Sequence, residues 1–228
     1  NKKFFKPLII FSISMGVLVY VFMNLSLFHS SIISPIILGS QLAIPFGIMA
    51  SALILKENIS NKKWGLIFTS FLGIFIIFFD PDLTKNLLGL FFASLMALFF
   101  GLAQVYSRYL KELDVSLINL STGIFGFVVL IIISFFLEGD TINNLKNISF
   151  NSWSLIFYQA IIVSLCAHLL MFYLYNFYTV GKIFPFYSLF PIFGISLSFL
   201  IFGEIPSILF AIGSIIVISS VILLHKIR

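Results

Sequence analysis

The sequence predicts an all-α, polytopic helical membrane protein, and three observations predict it. Of the 228 residues, 61% are hydrophobic and only 9% charged, against about a quarter charged in soluble chains, so water could not solvate a folded exterior. The mean hydropathy is +1.17. Runs such as Val128 to Leu137 do not alternate apolar with polar residues, as the strands of a membrane β-barrel would. A net charge of +5 and a pI near 9.3 do not point to nucleic acid, because the lysines fall in ones to threes between apolar runs and form no basic stripe. Cys166 is the lone cysteine, which excludes an intrachain disulfide and a cysteine-based metal site, and no cofactor is implied.

Charged residues and turn signals divide the chain into eight hydrophobic segments, each near the roughly 20 residues a bilayer requires. Segment a runs from Pro7 to Phe28, b from Ile32 to Leu55, c from Trp64 to Phe79, and d from Leu87 to Ser107. Segment e follows from Val115 to Leu137, f from Ser152 to Tyr178, g from Ile183 to Phe202, and h from Ser207 to Leu224. Asp80-Pro81-Asp82 and Glu138-Gly139-Asp140 carry turn chemistry between them. Lys2-Lys3-Phe4-Phe5-Lys6 before an apolar run resembles the start of a signal peptide, but no small-residue cleavage site follows, so segment a reads as a retained helix.

With the N-terminus inside, one set of loops collects eleven of the thirteen cations and the other set keeps only Lys85 and Lys146. That partition is the positive-inside signature, and it predicts both termini to be cytoplasmic. Few arginines beside many Lys, Ile, Phe and Asn match the codon usage of an AT-rich genome, which predicts a bacterial plasma (inner) membrane.

Self-similarity appears at an offset of 147 residues. Phe46-Gly47-Ile48 precedes Glu57 as Phe193-Gly194-Ile195 precedes Glu204, and each glutamate opens a short loop into one more helix carrying Gly65 or Gly213. Segment g comes five helices after b, an odd step, so the copies point in opposite directions across the membrane. This is an inverted-topology repeat, a construction typical of transporters. With a five-helix unit, residues 86–228 form a complete second copy, while 1–80 supply the last three helices of a first. The pattern therefore expects ten helices, two of them before Asn1.

Ten helices in two halves, each with an apolar helix, a glutamate and a final glycine-containing helix, resemble the drug/metabolite transporter superfamily in its EamA-type branch. Leu55-Lys56-Glu57 and Phe202-Gly203-Glu204 are similar to that family's paired helix-end element, with Lys56 standing where glycine is usual. The resemblance implies transport and leaves the cargo open among amino acids, nucleotide-like metabolites, sugars and drugs.

Polar residues within the spans are the candidate substrate contacts. In segment a, Ser12, Gly16, Tyr20 and Asn24 recur at steps of four, which predicts one helical face that avoids lipid, either packed on a neighbour or lining a cavity. In segment d, Ala93, Ala97 and Gly101 read as packing surface, Gln104 as a buried amide wanting up to four hydrogen bonds, and Arg108 as an interfacial anchor. Segment f holds Gln159 and His168, which lie on opposite sides of the helix. The repeat favours Gln159, whereas His168 is the ionisable group. Gln41 and Tyr187 complete a set of seven: Tyr20, Asn24, Gln41, Gln104, Gln159, His168 and Tyr187. Pro35 and Pro45 in b, with Pro185 and Pro191 in g, predict paired helix bends.

These features fit a secondary transporter, exporter or facilitator, of a small polar or zwitterionic metabolite such as an amino acid, working by alternating access. Its partners are that small molecule and the lipid bilayer. No phosphate-binding loop indicates ATP coupling, and no carboxylate sits mid-span. A membrane-embedded lipid-modifying enzyme would need an aspartate cluster or a nucleophile with its own sequence context, neither of which is present, so catalysis is not expected. A lipid flippase suits so phenylalanine-rich a chain.

Overall fold

A computed structural model describes residues 2–137, 146–167, 170 and 190–226. Every element among these residues is helical: α1 (Lys2–Ile13), α2 (Val19–Phe28), α3 (Ser34–Ser40), α4 (Ala43–Ile54), α5 (Asn61–Phe78), α6 (Leu87–Ser107), α7 (Val115–Leu137), α8 (Phe150–Tyr158), α9 (Phe190–Phe202) and α10 (Ile208–Lys226). Five stretches are long and apolar enough to cross a bilayer, namely Lys3–Phe28, Ser34–Ile54, Asn61–Phe78, Leu83–Leu110 and Val115–Phe136. Phe190–Phe202 and Ile208–Leu224 are shorter apolar helices, and segment f falls partly outside the described residues. The protein is a polytopic helical membrane protein.

The helices gather into two compact units, one of residues 1–130 and 188–228, the other of residues 131–187. The first unit mixes helices from both predicted halves. Its centre is α6, which packs against α1, α2, α3 and α4. Small side chains allow this: Ala93, Ala97 and Ala103 are fully buried, and a Cβ added at Gly101 would lie 2.7 Å from the Gly47 nitrogen on α4. The packing expected of Ala93, Ala97 and Gly101 is what forms, since in lipid close backbone approach substitutes for the hydrophobic drive. A second pairing joins α5 to α10, where Gly73 and Gly213 face each other and a Cβ on Gly213 would meet the Gly73 carbonyl at 2.6 Å. Leu38, Leu42, Ile74, Ile77, Leu90, Val217 and Val221 fill the core between these helices. The second unit contains α8, capped where the Ser152 N–H donates to Ser149 Oγ at 3.1 Å, and the π-helical segment Gln159–Ala167 that follows it.

Three details recur at the 147-residue offset. Lys56 and Gly203 both hold left-handed backbone, with φ of 55° and 68°. Ser60 caps α5 by accepting from the Lys63 N–H, and Ser207 caps α10 by accepting from the Phe210 N–H. A π-helical stretch, Ser14–Leu18, separates α1 from α2, and its counterpart positions fall inside Gln159–Ala167.

Segment b is interrupted at Gln41–Leu42, between α3 and α4, by two residues that form a turn and keep right-handed helical backbone. Of the prolines expected to bend it, Pro35 sits in the first turn of α3, where a missing N–H costs nothing, so Pro45 alone acts inside the segment. Pro185 lies outside the described residues.

Candidate functional site

Pro45 cannot donate to the Gln41 carbonyl four residues earlier, so the chain tightens there. The Gln41 N–H donates to the Leu38 carbonyl, the Leu42 N–H to Gly39, and the Ile44 N–H reaches the Gln41 carbonyl at a long 3.3 Å. Gln41 is 7% exposed as a residue, its amide makes no hydrogen bond among the described residues, and the amide atoms keep some accessible surface, unlike the enclosed, unpartnered hydroxyls of Ser198 and Ser214. An accessible carboxamide with donors and acceptor unused, where a membrane helix is interrupted, can bind a polar ligand group without first breaking an internal bond.

The other candidates are not gathered around it. Tyr20 is 43% exposed, and Asn24, also exposed, donates from Nδ2 to the Tyr20 carbonyl at 3.0 Å. The line of four in segment a divides. Ser12 hydrogen-bonds Thr122 at 3.2 Å and Gly16 lies against Gly126 of α7, but the buried line then continues through Val19 and Ser26. The π-helical stretch Ser14–Leu18 lies between Ser12 and Tyr20, so a regular step of four does not hold one face across it. Gln104 is exposed, because Val105 continues the buried line of α6. Gln159 is exposed at the start of its π-helical segment, in the second unit. His168 and Tyr187 lie outside the described residues. The two principal cavities described, of ≈ 510 and ≈ 210 Å³, are lined by none of the seven. The larger has an almost wholly apolar wall, including Leu42, Phe46, Phe71, Phe75 and Phe78, with Ser94 the polar exception.

Sequence reasoning missed the polar chemistry at the two ends of segment b. At its start, one carboxylate serves three donors: Glu204 accepts from the Ile33 N–H at 2.6 Å, the Ser34 N–H at 3.0 Å and Ser34 Oγ at 2.6 Å. Burial pushes the Glu204 carboxyl up, but the Ser34 hydroxyl and the Ile33 N–H outweigh it, and the group titrates below the ordinary glutamate value. Ser198, buried on α9, faces the same carboxylate without reaching hydrogen-bond geometry. Beside it, Asn86 Oδ1 accepts from the Ser31 N–H at 2.8 Å and from the hydroxyls of Ser30 and Ser31, and Ser207 donates to the buried Asp80. The ≈ 210 Å³ cavity opens here, between Glu204, Ser34, Ser207 and Phe210. At the other end the chemistry is plainer: Arg108 pairs with Glu57, and Lys3 approaches Glu112 at 3.6 Å, all on exposed side chains. The repeated glutamates were the available signal, but their partners lie 51 and 171 residues away.

The sequence pattern of the EamA-like transporter family matches residues 87–225, more than half of the chain. The chain belongs to that family. The match begins at the first residue of α6 and takes in Glu204, Ser207 and Gly213; Gln41 and Glu57 precede it. As an EamA-like protein the chain is a multi-pass membrane transporter of small solutes. A comparison with curated proteins gave no match.

Proposed function

We propose that the protein is a secondary transporter of a small polar or zwitterionic metabolite such as an amino acid, acting by alternating access in a bacterial plasma membrane with both termini cytoplasmic. The observation that carries this reading is the helix interruption at Gln41–Leu42 with an accessible, unpartnered amide at its first residue, because transporters build substrate sites where helices are discontinuous. The 147-residue correspondences support an inverted repeat of 1–80 on 86–228: shared left-handed backbone at Lys56 and Gly203, shared serine caps at Ser60 and Ser207, and overlapping π-helical stretches. Gln41 is the leading substrate contact. Tyr20, Asn24, Gln104, Gln159, His168 and Tyr187 remain proposed contacts along the path, four of them supplying polar groups exposed on their helices.

The test is transport by reconstituted protein against a panel of amino acids and nucleosides. Gln41→Leu should lower the rate at least about tenfold, the scale of one lost hydrogen bond to a charged group, while membrane abundance stays normal. Full transport by that variant rejects the site. The apolar ≈ 510 Å³ cavity favours a second reading, lipid translocation, which predicts dithionite-accessible fluorescent lipid in vesicles containing the protein and no metabolite flux.

A further inference from the structure

The two glutamates of the repeated element tie opposite ends of segment b to helices from the other half of the sequence, with different chemistry at each end. Glu57, just past the C-terminal end of α4, pairs with Arg108 at the end of α6. Both side chains are largely exposed, 43% and 59%, and pairs of that kind are weak and screened by salt. Glu204, just past α9, instead accepts three hydrogen bonds at the start of α3, two of them from backbone N–H groups that the first turn of a helix leaves without partners.

The same end carries two more ties between the halves. Asn86 holds the loop before α3, and Asp80 holds Ser207 at the start of α10. Three loops, 29–34, 79–86 and 203–207, are thereby stitched together. The helices behind them differ in how firmly they are held. α10 is interlocked with α5 through Gly73 and Gly213, whereas α9 packs among the described residues chiefly on α3, where Gly194 meets the Ile37 side chain. Apart from Pro191 and Ser198, the side chains of α9 are exposed or half-buried. Gly203, with left-handed backbone and no atom within 4 Å of an added Cβ, provides an uncrowded turn between α9 and the carboxylate.

We infer that Glu204 is a releasable lock: its bonds to Ile33 and Ser34 hold α9 against α3 and keep this end of the first unit shut, and their release lets the two helices part. This rests on the alternating-access reading, to which it adds the residue that governs one of the two openings. Glu57, holding the other end through one exposed ion pair, is the weaker tie, so the resting protein is shut at the Glu204 end and yields more readily at the Glu57 end.

The experiment uses the full chain with Cys166→Ser and Ile37→Cys, reconstituted into vesicles of mixed orientation and treated with a charged, membrane-impermeant thiol reagent. Position 37 is half-buried, its side chain against Gly194, while α3 and α9 are together, and mixed orientation frees the readout from knowing which face is outside. Adding Glu204→Gln should raise the labelling rate about fivefold or more, the scale of losing one capping side chain. Ser34→Ala, which removes a single donor, should raise it by a smaller but measurable factor, and Glu57→Gln should change it less than Ser34→Ala does. An unchanged rate in folded, monodisperse Glu204→Gln protein overturns the lock, as does an equal increase with Glu57→Gln. If Glu204→Gln does not fold, Ser34→Ala decides: an increase supports the lock and an unchanged rate overturns it. The assay needs no transported substrate. Faster labelling of a protein that moves no solute therefore sinks the transport reading alone, and active transport with unchanged labelling sinks this one alone.

Discussion

Lys56 and Gly203 hold the same left-handed backbone, but only the glycine does so freely, because a Cβ crowds the following carbonyl in that conformation at a cost of about 1 kcal/mol. Lys56→Gly should therefore stabilise the protein by up to about 1 kcal/mol, and Gly203→Ala should destabilise it by a similar amount. With no atom within 4 Å of an added Cβ at Gly203, that loss would be conformational. Thermal unfolding in detergent measures both; a stabilised Gly203→Ala variant would contradict the assignment. Glu204 gives a pH signature. Its folded carboxyl titrates below the ordinary value, so its contribution is complete above that value and is lost as pH falls through the lowered native one. The difference in melting temperature between wild type and Glu204→Gln should stay constant from about pH 7 to pH 5.5 and shrink below about pH 4. A difference that grows on acidification would mean that the carboxyl is bound protonated.

The glycines of α5 separate packing from propensity within one helix. An added Cβ at Gly73 would lie 2.7 Å from Val217 and 2.8 Å from the Gly213 carbonyl, whereas Gly65 has open space. Gly73→Ala should thus cost about 1–3 kcal/mol by forcing α5 from α10, and Gly65→Ala should gain roughly 0.5–1 kcal/mol from helix propensity. Equal effects would show that the interlock does not carry α5. Both glycines sit in the same apolar stretch, so the sequence alone could not rank them. The elements themselves were legible because lipid imposes a single length and a single polarity on every span. The interruption at Gln41–Leu42 was legible only as a bend at Pro45, since a missing N–H marks a weakness without saying which carbonyls will find new donors. The π-helical stretch at Ser14–Leu18 left no compositional mark at all.

For the whole molecule, the uneven lysines predict orientation. A cysteine at Asn61 should resist an impermeant reagent applied to intact cells, and one at Thr84 should react. Reaction at Asn61 from outside would invert the assignment. A row of apolar side chains on α5, Phe68, Leu72 and Phe75, is more than half exposed and forms part of the wall of the larger apolar cavity. The candidate site was less legible than the fold. Of seven residues chosen for polarity within spans, Gln41 alone is buried among the five described, because polarity says that a side chain wants a partner and not whether that partner is protein, ligand or water. The ties made by Glu204, Asn86 and Asp80 joined residues far apart in sequence and lay in loops that read only as turns.

The pairing of α5 with α10 also bears on how the chain is made. Ribosomes add roughly 5 to 20 residues per second, and about 130 residues separate the end of α5 from the start of α10. For some ten seconds or so of synthesis, the groove at Ser70 and Gly73 has no native partner, and it must wait in the translocon or against lipid until the last helix arrives. A nascent chain that stops short of Gly213 would leave that groove open for good, presenting a mark by which membrane quality control can distinguish an unfinished copy from a finished one.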